Sequence, residues 1–227
     1  MIRICASITE RNRKDCLKAF SQAKKLGIRL AELRIDFLDE PKDATRIINE
    51  LKMPTIATNR NKKEGGKFNG SEEERMNALM GAIDAGCEFV DIELSTNKNL
   101  RGGVINFAKK HKCKVIVSAH DFKKTPDMRI LNKLLDEERK IADIGKIVPF
   151  GRNLEDTIKI FNLLRVANSV KFPLITFAMG PLCSFSRIAT PLFGSFLTYA
   201  SVGKPSAIGQ LSVNETIDAY KKLGVKI

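Results

Sequence analysis

Short β-rich runs alternate with amphipathic helical stretches along this sequence, and that alternation narrows the possible folds more than any other feature. Strand-like segments fall at Arg3–Ser7, Arg29–Ile35, Pro54–Thr58, Glu88–Leu94, Lys114–His120, Ala142–Val148, Pro173–Met179 and Ser206–Gln210. Their starts recur at the spacing of a βα unit, about 30 residues. Between them, Cys16, Ala19, Phe20 and Ala23 stand at i, i+3, i+4 and i+7, with Gly27 placed to close that helix in the left-handed conformation. Ser71 and Glu74 have capping-box spacing ahead of Met76, Leu79, Met80 and Ile83, with Gly86 at the far end. Leu154, Ile158 and Phe161 predict a third apolar stripe. Strands and helices in strict alternation imply parallel pairing with right-handed crossovers. An open doubly wound sheet fits that alternation too. The count of eight, and the lack of a G-x-G-x-x-G turn after the first strand, favour an α/β fold of the (β/α)8 TIM-barrel type. The last strand, with Pro205 and Gly209, is the least regular.

No Pro/Gly/Ser-rich linker or like-charge block divides the 227 residues, so one catalytic barrel domain over 1–227 is expected. The opening Met1-Ile2-Arg3-Ile4-Cys5 reads as the start of a strand and not as a signal peptide. No apolar run reaches the roughly 18 residues of a membrane span. Cys5, Cys16, Cys87, Cys113 and Cys183 are widely spread with no C-x-x-C pair, which fits reduced thiols in a cytoplasmic protein better than a disulfide framework or a zinc site. The net charge of +13 raises the prospect of a nucleic-acid partner. Lys24, Lys25, Lys109, Lys110, Lys171, Lys221 and Lys222 are instead scattered over polar helix faces without interleaved aromatics. A solvated surface and a small anionic substrate account for them more simply.

Side chains alternate across a strand, so residues i and i+2 share a face. Glu32, Arg34 and Asp36 then lie together, as do Thr58 with Arg60, Asp91 with Glu93, Ser118 with His120, Ile144 with Lys146 and Val148, and Ser206 with Ile208 and Gln210. Barrel lumens are normally filled with branched apolar side chains, and barrel enzymes build their sites at the carboxyl ends of the strands. Polar residues of matching parity at those ends predict one site there, though salt bridges closing the barrel rim would leave a similar pattern.

Within that set, Lys146 has apolar neighbours in Ile144, Ile147, Val148, Pro149 and Phe150. An amine in low dielectric prefers its neutral form, which can attack a ketone to give an iminium electron sink. A lysine whose stem packs in the barrel while its head meets a carboxylate such as Glu93 is the competing reading. His120, at the end of the fifth strand, neighbours Lys146 on the sixth and suits proton transfer near neutral pH. His111, at a helix end, is expected on the surface. Glu64, in the loop after the third strand, could orient His120 and raise its pKa. Arg34, Arg60 and Arg187 offer forks for a carboxylate or hydroxyls. The loop Gly180-Pro181-Leu182-Cys183-Ser184-Phe185-Ser186-Arg187 suggests a lid or clamp.

Together, Glu32-Leu33-Arg34-Ile35-Asp36, Thr58-Asn59-Arg60, Glu64-Gly65-Gly66, Ser118-Ala119-His120-Asp121-Phe122, Asp143-Ile144-Gly145-Lys146, Met179-Gly180 with Arg187, and Ser206-Ala207-Ile208-Gly209-Gln210 resemble type I 3-dehydroquinate dehydratase, in order and over nearly the whole chain from Ser7 to Gln210. The family often has proline where Gly145 and Ile208 stand here. The resemblance implies a lyase that converts 3-dehydroquinate to 3-dehydroshikimate in the shikimate pathway, on the way to chorismate and the aromatic amino acids. It implies Lys146 as Schiff-base nucleophile, His120 as proton carrier and Glu64 as its orienter. Arg187, Ser206 and Gln210 would hold the substrate carboxylate, and Glu32, Arg34 and Arg60 its ring hydroxyls, with Ser7 counted among the substrate-binding residues. It further implies no metal or organic cofactor and a homodimer. Another class I Schiff-base lyase or aldolase, and a non-catalytic basic barrel binding nucleic acid, are the alternatives.

Overall fold

Eight parallel strands hydrogen-bond in the order β7-β6-β5-β4-β3-β2-β1-β8 in a computed structural model that describes residues 2–51, 53–203, 205, 207 and 209–227. The strands are β1 (Ile4–Ile8), β2 (Leu30–Arg34), β3 (Thr55–Thr58), β4 (Phe89–Glu93), β5 (Lys114–Asp121), β6 (Ile144–Pro149), β7 (Leu174–Thr176) and β8 (Thr198–Ser201). Helices α1 (Arg13–Lys25), α2 (Asp43–Glu50), α3 (Glu72–Asp84), α4 (Lys98–Lys110), α5 (Met128–Arg139), α6 (Leu154–Ser169), α7 (Ser186–Leu192) and α8 (Val213–Lys222) alternate with them. Phe196 N–H donates to Leu174 O at 2.8 Å and Ser195 Oγ donates to the same carbonyl at 3.3 Å, which draws β8 toward β7. The result is a nearly closed (β/α)8 TIM barrel.

Each of the first seven predicted strands overlaps an observed one. The eighth does not. Strand β8 lies at Thr198–Ser201, upstream of the predicted Ser206–Gln210, of which Ser206 and Ile208 lie outside the described residues. Gly209 takes φ +73 and Gln210 N–H turns back onto Ala207 O at 3.2 Å, so Pro205 and Gly209 serve a turn, as such residues favour. The run Thr198-Tyr199-Ala200 carries the β-branched and aromatic content of a strand.

Helix α1 buries Cys16, Ala19, Phe20 and Ala23, and Ser71 and Glu74 form both hydrogen bonds of a capping box on α3. The predicted stripe on α6 is corrected. Leu154 and Ile158 are 64% and 51% exposed, while Ile160, Leu163, Leu164 and Ala167 face inward, so the apolar character of α6 extends well beyond its buried face. All five cysteines are free and buried. Among the described residues no helix is long and apolar enough to cross a membrane.

Strand parity sorts the core into two parts. Ala31, Leu33, Ala57, Val90, Ile92, Val115 and Val117 pack outward under the helices. Leu30, Ile56, Phe89, Ile116, Ile144, Ile175 and Leu197 fill the lumen, and on the same faces, further along, stand Glu32, Thr58, Asp91, Ser118, Lys146, Phe177 and Tyr199. The lumen is therefore apolar toward the amino ends of the strands and largely polar toward their carboxyl ends.

Strand β6 also has a buttress behind it. Lys146 N–H donates to Glu138 Oε2 of α5 at 3.0 Å, and Glu138 is fully buried. Burial, the largest influence, pushes its carboxyl well above the ordinary range, so it stays protonated and adds no buried charge. A Cβ at Gly145 would sit 2.6 Å from Glu138 Oε2 and 2.8 Å from the Phe172 ring, and Gly145 N–H donates to Pro173 O at 2.9 Å. Proline here would lose that bond and collide, which explains the glycine. Gly145→Ala should overpack this contact and lower stability by about 1–3 kcal/mol, read as a lower urea midpoint. An unchanged midpoint would show that Glu138 has room to move.

Candidate active site

The carboxyl ends of the strands enclose a pocket. Glu32, Arg34, Arg60, Glu64, His120, Lys146, Arg187 and Gln210 all line it. Ser7 stands one bond behind, donating from Oγ to Glu32 Oε2 at 2.8 Å. Ser206 lies outside the described residues.

Lys146 Nζ donates to Asp91 Oδ2 at 2.8 Å and lies 3.7 Å from Glu32 Oε1. The competing reading, a lysine head that meets a carboxylate, describes this contact, with Asp91 in place of Glu93. Arg60 reaches Asp91 at 2.8 Å and Glu93 at 3.0 Å, and Arg75 reaches Glu93 at 2.6 Å. Ser118 Oγ donates to Asp91 at 2.7 Å and accepts from Arg60 at 2.6 Å. Burial would raise the Asp91 carboxyl, but Arg60 and Lys146 outweigh it and hold the group well below the usual carboxylate range. Arg60 is thus occupied on both terminal nitrogens, a brace for the site as well as part of its wall.

The loop after β3 delivers Glu64 to His120. Asn61 caps a single 3-10 turn at Lys62–Glu64, Gly65 follows at φ +79, and a side chain at Gly66 would strike the Arg60 carbonyl. The reversed chain brings Glu64 Oε2 to 2.9 Å from His120 Nδ1 and 3.1 Å from the His120 N–H, while Ser95 Oγ donates to Oε1. With Nδ1 bound to the carboxylate, Nε2 is the nitrogen left for chemistry. Burial, with Arg60 and Lys146 adding to it, lowers the His120 pKa below 6.5, and Glu64 offsets this only in part. The imidazole is therefore neutral near pH 7, as a proton acceptor must be.

Two further cations, Arg34 and Arg187, line the pocket. Arg34 makes a two-point pair with Asp36 at 2.8 and 2.7 Å. Arg187 is 2% exposed, lies 4.2 Å over the Phe177 ring, and is lowered by burial to about 10, still a cation at neutral pH. The segment expected as a loop is instead folded, with a 3-10 turn at Pro181–Cys183 and Arg187 on the first turn of α7. Ser186 anchors it, accepting from Ala178 N–H at 3.0 Å and donating to Cys183 O at 2.6 Å.

Three participants escaped the sequence reading. Asp91 was on the right face, but nothing marked it as the lysine's partner. Ser95 follows β4 and carries no signal in the sequence. Tyr199 was hidden by the misplaced eighth strand; the alternation Leu197, Tyr199, Ser201 would have revealed it.

The sequence pattern of type I 3-dehydroquinase matches residues 4–227. The chain is 38% identical to the 3-dehydroquinate dehydratase of Methanococcus maripaludis over 224 residues, 97% of this chain and 100% of that one. It is 34% identical to that of Methanothermobacter thermautotrophicus, covering 94% of each. Its structure is similar to 3-dehydroquinate dehydratase from Geobacillus kaustophilus (TM-score 0.91, 25% identity, 99% and 91% covered). It is also similar to the type I enzyme of Clostridium difficile with covalently modified comenic acid (TM-score 0.89, 28% identity, 98% and 92% covered).

The two histidines allow a direct test of the imidazole's state. In NMR titration His120 should ionise below 6.5, and Glu64→Gln, by removing the influence that favours the cation, should move its midpoint lower still. A midpoint that rises in the variant would contradict the balance described.

Proposed function

The chain belongs to the type I 3-dehydroquinase family, and on that footing we propose that it is a hydro-lyase of the shikimate pathway, removing water from 3-dehydroquinate through a Schiff base on Lys146. One observation carries the assignment: an amine on the lumen face of β6 lies in the pocket with an imidazole of neighbouring β5 that a carboxylate holds through Nδ1. Lys146 Nζ attacks the C3 ketone, water departs, and the iminium acidifies the C2 hydrogens. His120 takes a C2 proton, the bond pair moving into the iminium as an enamine. The enamine expels the C1 hydroxyl, which leaves as water with the proton from His120. Hydrolysis of the imine frees 3-dehydroshikimate and restores the lysine.

Arg187, Gln210 and Ser206 are the proposed carboxylate site, and Glu32, Arg34, Arg60 and Ser7 the hydroxyl side, directly or through one another. A buried guanidinium gains most from an anion, because each relieves the other's desolvation. The chain works as one catalytic domain, in the cytoplasm, without a nucleic-acid partner, its lysines being dispersed over exposed helix faces. The lysine supplies the electron sink, so the chemistry asks for no organic cofactor or metal.

A homodimer is proposed across α6 and α7. Leu154, Ile158, Leu192 and Phe193 are exposed there, and Phe193 meets Phe161 edge-on at 5.0 Å. Apolar surface of that kind marks an interaction face. Ile158→Glu should shift sedimentation toward the monomer, and an unchanged dimer would place the contact elsewhere.

For the chemistry, borohydride added during turnover should reduce an adduct onto Lys146, located by peptide mass spectrometry. His120→Ala should lose turnover by about 10²–10⁴-fold while the adduct still accumulates. An adduct on a different lysine, or near-normal turnover without His120, would overturn these roles.

A further inference from the structure

Tyr199 stands on the lumen face of β8, 5% exposed, with its hydroxyl 3.2 Å from Lys146 Nζ. The lysine nitrogen lies 4.4 Å from the centre of its ring, and Phe177 meets that ring edge-on at 6.4 Å. The two carboxylates near the amine are already committed. Asp91 serves Arg60 and Ser118, and Glu32 accepts from Ser7 at 2.8 Å and Thr58 at 2.9 Å. Asp91, held ionised, has no proton to give, and both Glu32 oxygens are taken by hydroxyls. A phenol both donates and accepts.

Imine formation needs such a group. When the neutral amine adds to the carbonyl, the C–N bond forms, the π pair moves to oxygen, and the nitrogen is left with one proton too many. Direct passage of that proton to the alkoxide crosses a strained four-membered ring. A hydroxyl touching both atoms opens the path to six members.

We propose that Tyr199 is a further catalytic residue, its hydroxyl bridging Lys146 Nζ and the substrate's carbonyl oxygen while the Schiff base forms and is hydrolysed. The inference rests on Lys146 being the nucleophile. The phenol oxygen takes the N–H proton as its own O–H proton passes to the alkoxide, so the carbinolamine is neutral and the tyrosine unchanged. The proton that the Lys146 ammonium sheds before attack returns to the departing hydroxyl, which leaves as water to give the iminium, and hydrolysis retraces the path. Burial, reinforced by Glu32, pushes the phenol well above its ordinary pKa of 10.0, so it holds the proton it must lend. Tyr199 belongs to β8, whereas His120 and the Glu64 that holds it belong to β5 and the loop after β3, so phenol and imidazole come from different strands.

Tyr199→Phe keeps the ring, its edge contact with Phe177 and the Lys146–Asp91 pair, so the fold is undisturbed. Single turnovers are quenched into borohydride at successive times, and the Lys146 adducts are counted by mass. The substrate adduct and the product adduct differ by one water, so formation and dehydration are read separately. The variant should form the first adduct about 10²-fold more slowly and exchange the ketone oxygen with ¹⁸O-water more slowly by the same factor. Conversion of first adduct to second should stay within about twofold, since that step belongs to His120. Equal rates of adduct formation in both proteins, or equal slowing of both steps, would overturn the role of Tyr199 alone. Absence of any Lys146 adduct in the unsubstituted protein would overturn the nucleophile assignment and this inference with it.

Discussion

A line of alternating charges, Lys146–Asp91–Arg60–Glu93–Arg75, crosses the mouth of the barrel, and the other features of the site are arranged around it. Every member is at most 5% exposed. Removing a partner from a buried pair typically costs about 3–5 kcal/mol, because the remaining charge has neither water nor counterion. The line therefore holds the Lys146 ammonium in place through its pair with Asp91. It also determines what each arginine is free to do. Arg60 spends its donors on the line, whereas Arg187 rests on an aromatic face and is shifted downward by burial alone.

The same fields sort the acids and bases. Asp91 is held ionised by Arg60 and Lys146, and His120 is kept neutral by burial and those same cations, while burial pushes the Glu138 carboxyl behind β6 well above its ordinary range. Three groups that would be ordinary in water thus take distinct states within one end of the barrel. Opposed environments of this kind are how one site holds an acceptor, a counterion and a neutral prop at the same pH.

Much of this was legible in the sequence, and for a simple reason. The period of two along a strand is rigid, so a lumen-facing Ile56 carries Thr58 and then Arg60 toward the mouth, and Ile144 carries Lys146. Parity alone places the wall of the pocket. It failed where the chain stops being periodic. Strand β8 is four residues long and is followed by a turn containing Pro205 and Gly209, whose neighbouring Ser206, Ile208 and Gln210 imitate alternation. On α6 the apolar residues exceed what one buried face needs, and periodicity cannot tell a core stripe from an interface stripe. Contacts between loops, such as Ser95 with Glu64, depend on the closure of the whole barrel and leave no local mark.

Gly145 and Glu138 carry a consequence for the history open to this sequence. The carboxyl occupies the space a side chain at 145 would need, and it also satisfies the Lys146 amide, so neither residue can be judged without the other. Contacting positions of this sort do not contribute additively. A side chain at 145 meets both the Glu138 carboxyl and the Phe172 ring, and removing the carboxyl leaves the Lys146 amide without its acceptor. The pair acts as an epistatic ratchet: a change tolerated at one position depends on what already stands at the other.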